Sequence, residues 1–153
     1  MQRNPRLDQI DDRILRELRQ DARQSNVRLA ERVGLSPSAC LRRVQDMEKA
    51  GIIRGYRAVI DRNTIGGGLL AFVMVGLSSH TKGSQETFER VIARAPEVIE
   101  CHNVTGTIEY ILRVEASDIS AYKTFHTEVL GTLPQVTSIT SYIVLESPKD
   151  ERG

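Results

Sequence analysis

Apolar residues recur at helical spacing through the first third of the chain, then give way to strand-like runs separated by two further helical stretches. Ile10, Ile14, Leu15 and Leu18 predict a first helix, with Asp8 as its cap and Asp11 and Asp12 in the first turn, where the helix dipole favours carboxylates. Val27, Leu29, Ala30 and Val33 predict a second, shorter helix, capped by Asn26 and ended by Gly34 in the left-handed conformation. Gly34-Leu35-Ser36 then leaves room only for a tight turn, with Leu35 as the apolar plug between two helices. Ser36 caps the third helix, and Pro37 suits its first position because that amide has no intrahelical partner in any case. The helical period sets Cys40, Leu41, Val44 and Met47 on an inner side. Ser38, Ala39, Arg42, Arg43, Asp46 and Lys49 fall on the outer side.

After Gly51 the run Ile52 to Ile60 reads as extended, bent at Gly55, with Arg54 and Arg57 beside the bend, as a wing or connecting strand would be. Gly66-Gly67-Gly68 interrupts all periodicity and reads as a hinge; without a following Gly-Lys-Ser/Thr it is no phosphate loop. Beyond it come a strand (Leu69–Leu77), a helix (Gln85–Arg94), strands over Val98–Val104 and Ile108–Glu115, a helix (Asp118–Gly131) and a strand (Val136–Leu145). The first strand is apolar nearly throughout, as a strand covered on both faces would be. Ser117 is the expected cap of the second helix, and Ile119, Tyr122, Phe125 and Val129 its buried face.

The fold class is therefore α+β: an N-terminal three-helix winged helix-turn-helix followed by a ferredoxin-like βαββαβ domain. The expected boundaries are 1–54 for the helical module, 55–68 for the connecting strand and hinge, 69–148 for the ferredoxin-like domain and 149–153 for a tail. Four strands with both helices on one side leave an apolar face open. A second copy is its most economical cover, so a homodimer at least is expected.

Overall net charge is only +1, but its distribution is uneven. Residues 1–62 hold 14 Lys/Arg against 9 Asp/Glu, net +5, whereas 63–153 hold 7 against 11, net −4. The first part attracts a polyanion and the second repels it, so binding to DNA should weaken with added salt. Small residues at the start of the third helix permit close approach to a duplex, the helix dipole welcomes phosphate there, and arginine pairs bidentately with guanine edges. The DNA-facing set is Asn26, Arg28, Ser36, Pro37, Ser38, Ala39, Arg42, Arg43, Lys49, Arg54 and Arg57, led by Arg42 and Arg43. The plainer alternative is a helical hairpin whose charged side only meets water.

Cys40 and Cys101 read as small core residues in a reducing compartment rather than as a disulfide. No leader of basic, apolar and small residues opens the chain, and Leu69–Leu77 is too short to cross a bilayer, so a cytoplasmic location is expected.

The chain also resembles a known family, the leucine-responsive regulatory protein/AsnC transcription factors, or feast/famine regulators. The similarity runs from Leu7-Asp8-Gln9-Ile10-Asp11 through Val33-Gly34-Leu35-Ser36-Pro37-Ser38 and Gly51-Ile52-Ile53-Arg54-Gly55-Tyr56. It continues in Glu100-Cys101-His102, Val104-Thr105-Gly106, Glu109-Tyr110, Ser120-Ala121-Tyr122 and Leu133-Pro134. The resemblance implies a DNA-binding regulator governed by amino acids, with a C-terminal effector and assembly domain and dimers that often build octamers. It further implies an effector between neighbouring C-terminal domains, beside a loop that in the family reads Gly-Asp-aromatic-Asp. Here the loop is Gly106-Thr107-Ile108-Glu109, with one acidic position lost and the other lengthened by a methylene. The implied effector residues are Gly106, Thr107, Ile108 and Glu109, joined by Val136, Thr137 and Ser138 of a neighbouring protomer. No cofactor is expected beyond that amino acid.

Two other functions compete with this reading. A small enzyme would need His80, in a Ser/Thr/Gly/Lys-rich loop, His102, in a strand next to Cys101, or His126, on a helix with no acid or thiol at triad or metal spacing; Cys101 and His102 alternate across their strand and cannot easily share a metal. Neither a catalytic nor a metal site is expected. An amino-acid-binding module without a DNA role is opposed by the basic third helix.

Overall fold

The computed structural model describes residues 7–60, 66 and 68–150. Residues 61–65 and Gly67 of the expected linker, and 151–153 of the expected tail, lie outside the described residues. The chain divides into two compact units, 1–59 and 60–153.

The first unit consists of α1 (Gln9–Gln20), α2 (Asn26–Val33) and α3 (Pro37–Lys49). Asp8 caps α1 in a reciprocal box: its carboxylate accepts from the Asp11 N–H, and the Asp11 carboxylate accepts from the Asp8 N–H. Ser25, not Asn26, caps α2, its Oγ accepting from the Arg28 N–H at 3.3 Å. Asn26 is the first helical residue, which turns its amide toward α3, where it donates to the Pro37 carbonyl at 2.7 Å. Gly34 stops α2 at φ 76°, where a β-carbon would be strained. Ile14, Leu29, Ala30, Val33, Cys40 and Met47 form the core, with Leu35 packed against it.

Two side chains of α3 depart from their expected sides. Cys40, Val44 and Met47 meet the core, but Leu41 lies a third of a turn away and is exposed. Arg43, on the opposite flank, reaches back to α1. The extended run after Gly51 forms no strand, because among the described residues no second strand pairs with it. Ile52 and Ile53 instead donate their N–H groups to the Met47 carbonyl and rest on the helical core.

The second unit contains β1 (Leu69–Leu77), α4 (Lys82–Ile92), β2 (Val98–Asn103), β3 (Tyr110–Ala116), α5 (Ile119–Thr124) and β4 (Val136–Ile143). The sheet is antiparallel in the order β2-β3-β1-β4. Ala71, Val73 and Val75 of β1 and Tyr110, Leu112 and Val114 of β3 line one face and pack on Phe88, Ile92, Tyr122, Phe125 and Leu130. β1 is therefore covered by helices on one face only; Phe72 on the other face is 39% exposed. That open face also carries Tyr142, 58% exposed, and Arg113, which is buried against Glu100, Glu115 and the tail residue Asp150.

Asp118 replaces Ser117 as the cap of α5, accepting from the Ala121 N–H at 2.8 Å. The helix then runs into a π-helical turn, Phe125–Leu130, which resets the phase of its buried face. Tyr122, Phe125 and Leu130 are core, while Ile119 in the first turn is exposed. Cys40 is buried as expected, but Cys101 is exposed, because β2 is an edge strand with a neighbour on one side only.

Candidate nucleic-acid interface and effector loop

The start of α3 is built from its cap. The Ser36 Oγ accepts from the Ala39 N–H at 3.3 Å and lies 3.3 Å from the Ser38 Oγ, so two small hydroxyls flank Pro37 at an exposed helix end. Its unpaired N–H groups and the dipole make that end receptive to phosphate. Arg42 follows one turn later, exposed, with no acidic partner among the described residues.

Arg43 is placed differently from its neighbour. Its guanidinium meets Asp11 at 2.7 Å and Asp8 at 2.8 Å, so the acidic first turn of α1 consumes the charge expected to face DNA. The Asp11 and Asp8 hydrogen bonds hold Arg43 above its ordinary range. Asp8 is held below the usual carboxylate range, first by the Asp11 N–H and then by Arg43. Asn26 is likewise spent between helices rather than presented outward. Arg28, Lys49, Arg54 and Arg57 are exposed. A further contact had no sequence signal: the Tyr56 hydroxyl donates to the Glu48 carboxylate at 2.7 Å, tying the segment that carries Arg54 and Arg57 to α3.

In the second unit, Gly106 and Thr107 lie exposed in the β2–β3 loop, Ile108 is half-buried and Glu109 is buried. Gly106 sits at φ 140°, open to glycine and strained for other residues. Val136, Thr137 and Ser138, expected from a neighbouring protomer, lie at the same end of this chain's own sheet, because β1 runs between β3 and β4. The Glu109 N–H donates to the Val75 carbonyl at 3.0 Å, and Gly76 pairs with Ser138 on the other side. A β-carbon on Gly76 would come 2.3 Å from the Ser138 Oγ, so that hydroxyl would have to turn aside to admit one. The β1–β4 register shifts between Gly76 and Leu77, and the Leu77 N–H is taken by the Glu109 carboxylate. The other Glu109 oxygen meets His80 Nδ1 at 3.1 Å. Sequence alone gives His80 no link to the effector loop, because its partner Glu109 lies 29 residues further along the chain.

The remaining histidines stand apart from this loop. His102 Nε2 lies 3.1 Å from the Glu100 carboxylate on β2, and the half-buried His126 faces the Tyr122 ring. No group of three or more His, Cys, Asp or Glu positioned to hold a metal occurs among the described residues. No helix among them is long and apolar enough to cross a membrane.

Residues 7–54 match the winged helix-turn-helix DNA-binding family, and residues 70–153 match the Lrp/AsnC ligand binding domain. The chain belongs to the Lrp/AsnC family. The leucine-responsive regulatory protein of Escherichia coli (strain K12) is 41% identical over 143 residues, covering 94% of this chain and 87% of that protein. The fold is similar to that of a Neisseria meningitidis transcriptional regulator in complex with L-Met, with TM-score 0.84 and 37% identity over 94% of this chain and 93% of that one. Escherichia coli AsnC aligns with TM-score 0.82 at 27% identity, over 94% and 95% of the two chains. As an Lrp/AsnC regulator, the chain joins a DNA-binding helix-turn-helix to a ligand-binding domain.

Proposed function

We propose that this Lrp/AsnC regulator reads duplex DNA with the first half of α3, Arg42 contacting a base edge and Ser36, Ser38 and Ala39 allowing close approach. Arg28, Lys49, Arg54 and Arg57 are assigned to phosphates, and Arg43 to holding α3 against α1. The observation that carries this assignment is the contrast between adjacent arginines, one unpaired at the surface and one bound to two aspartates. A band shift across a salt series tests it: affinity should fall steeply with salt on every duplex, with an added sequence-dependent component at an operator. Binding indifferent to salt would overturn it.

In this reading 1–54 is the DNA-binding module, 69–148 the effector and assembly module, and the open sheet face, with Phe72 and Tyr142, packs on a second copy. The effector is an amino acid, with the Glu109 carboxylate receiving its ammonium, the polar surface of Thr107, Thr137 and Ser138 nearby, and Gly106 and Ile108 shaping the loop. The protein acts in the cytoplasm by binding rather than by catalysis. Calorimetry against the common amino acids, with sedimentation alongside, tests effector coupling, since a ligand shifts assembly only by binding the two states unequally. Silence in both would retire it.

A further inference from the structure

The carboxylate proposed to take the effector's ammonium is engaged at both oxygens by one short stretch of its own chain. Oε2 accepts from the Leu77 N–H at the strand irregularity, and Oε1 meets His80 Nδ1, three residues further on. The two contacts differ in kind. The Leu77 N–H belongs to the sheet and has no freedom to leave. The His80 ring belongs to the turn before α4 and its side chain is 79% exposed, whereas that of Glu109 is only 9% exposed. The imidazole is therefore the solvent-exposed partner of the carboxylate, and the Leu77 N–H the fixed one. An Nδ1–H donates to a carboxylate whether the ring is neutral or charged, so the contact needs no change of protonation.

We propose that His80 is a built-in competitor for the effector: its ring occupies the ammonium position on Glu109 and must swing into water before an α-amino acid binds. This inference rests on the reading of Glu109 as the ammonium acceptor. It assigns His80 a regulatory part in that site, setting the concentration at which the regulator responds. The exposed ring loses little on leaving, so the tether weakens binding without preventing it.

Calorimetry on the full chain, titrating each common L-amino acid and its N-acetyl derivative, tests this. His80→Ala should tighten binding of the responsive amino acid about tenfold, the factor expected if the ring holds the carboxylate about nine-tenths of the time. His80→Lys, which tethers a full positive charge in place of the ring, should weaken it, and Glu109→Gln, which keeps an acceptor for the Leu77 N–H, should abolish it. N-acetyl derivatives, lacking the ammonium, should bind none of the variants. Unchanged affinity in His80→Ala, with binding still lost in Glu109→Gln, would overturn the role of His80 and leave the effector site standing. Failure of every amino acid to bind both the natural protein and His80→Ala would overturn both. Equal tightening for N-acetyl derivatives would also defeat the competition.

Discussion

Arg42 and Glu109, the charges proposed to meet DNA and effector, are treated by the fold in opposite ways. Arg42 stands in water with no acidic partner among the described residues, while Glu109 is buried, with one oxygen on a backbone N–H and the other on an imidazole. The difference follows from the ligands proposed for them. A duplex carries a dense line of charge whose field reaches a solvated arginine, and association releases counterions, so the protein need not desolvate Arg42 in advance. A single amino acid offers one ammonium, and discriminating it requires a carboxylate already withdrawn from water, which must be satisfied internally until the ligand arrives. Availability suits the first site and pre-organisation the second.

The contrast can be broken most forcefully at its buried member. Glu109→Ala should destabilise the second unit by about 1–3 kcal/mol, because the Leu77 N–H loses its acceptor in a shielded place, and should abolish amino-acid binding. Denaturant unfolding and calorimetry read the two effects separately, and a stable, fully responsive variant would mean that the carboxylate is dispensable. Arg42→Ala should instead leave stability unaltered and cost about 1–3 kcal/mol at an operator. If unrelated DNA loses as much, Arg42 contacts phosphate rather than a base.

A smaller effect sharpens the difference between neighbours. Arg43→Ala should lower the melting temperature less than Glu109→Ala does, since its ion pair with Asp8 is half-exposed and the one with Asp11 only partly buried. Any loss of DNA affinity in that variant should be spread evenly over all sequences, as expected for a displaced helix. The smallest expected effect is on acid stability. Asp8 titrates below its ordinary value of 3.8, so its contribution is complete above that pH and disappears as pH falls through the depressed value. Urea unfolding followed downward from about pH 5 should show this loss in the natural protein and less of it in Arg43→Ala. Identical acid profiles would show that the Asp11 N–H alone holds Asp8 down.

Much of the architecture was legible because it depends on local periodicity and on residues with one strong conformational preference. The tight turn at Gly34-Leu35-Ser36, the cap at Ser36, the span of β1 and the βαββαβ order all arise from spacing along the chain. Caps one residue away from those expected, Ser25 for Asn26 and Asp118 for Ser117, show the resolution of such reasoning where two adjacent side chains both accept well. The π turn at Phe125–Leu130 carries no periodic signal, and it is what puts Leu130 rather than Val129 in the fully buried position.

The site divided along the same line. Sequence alone determined that a basic, capped helix exists and which loop departs from the family pattern, because charge and residue type are properties of single positions. Only the tertiary structure decided which arginine is available, that Glu109 is buried, and that His80 and Ser138 converge on one end of the sheet. Those outcomes depend on which distant segments meet: α1 supplies aspartates to Arg43, and β1, running between β3 and β4, brings a turn and two strands to one place. No spacing along a single element encodes such a meeting.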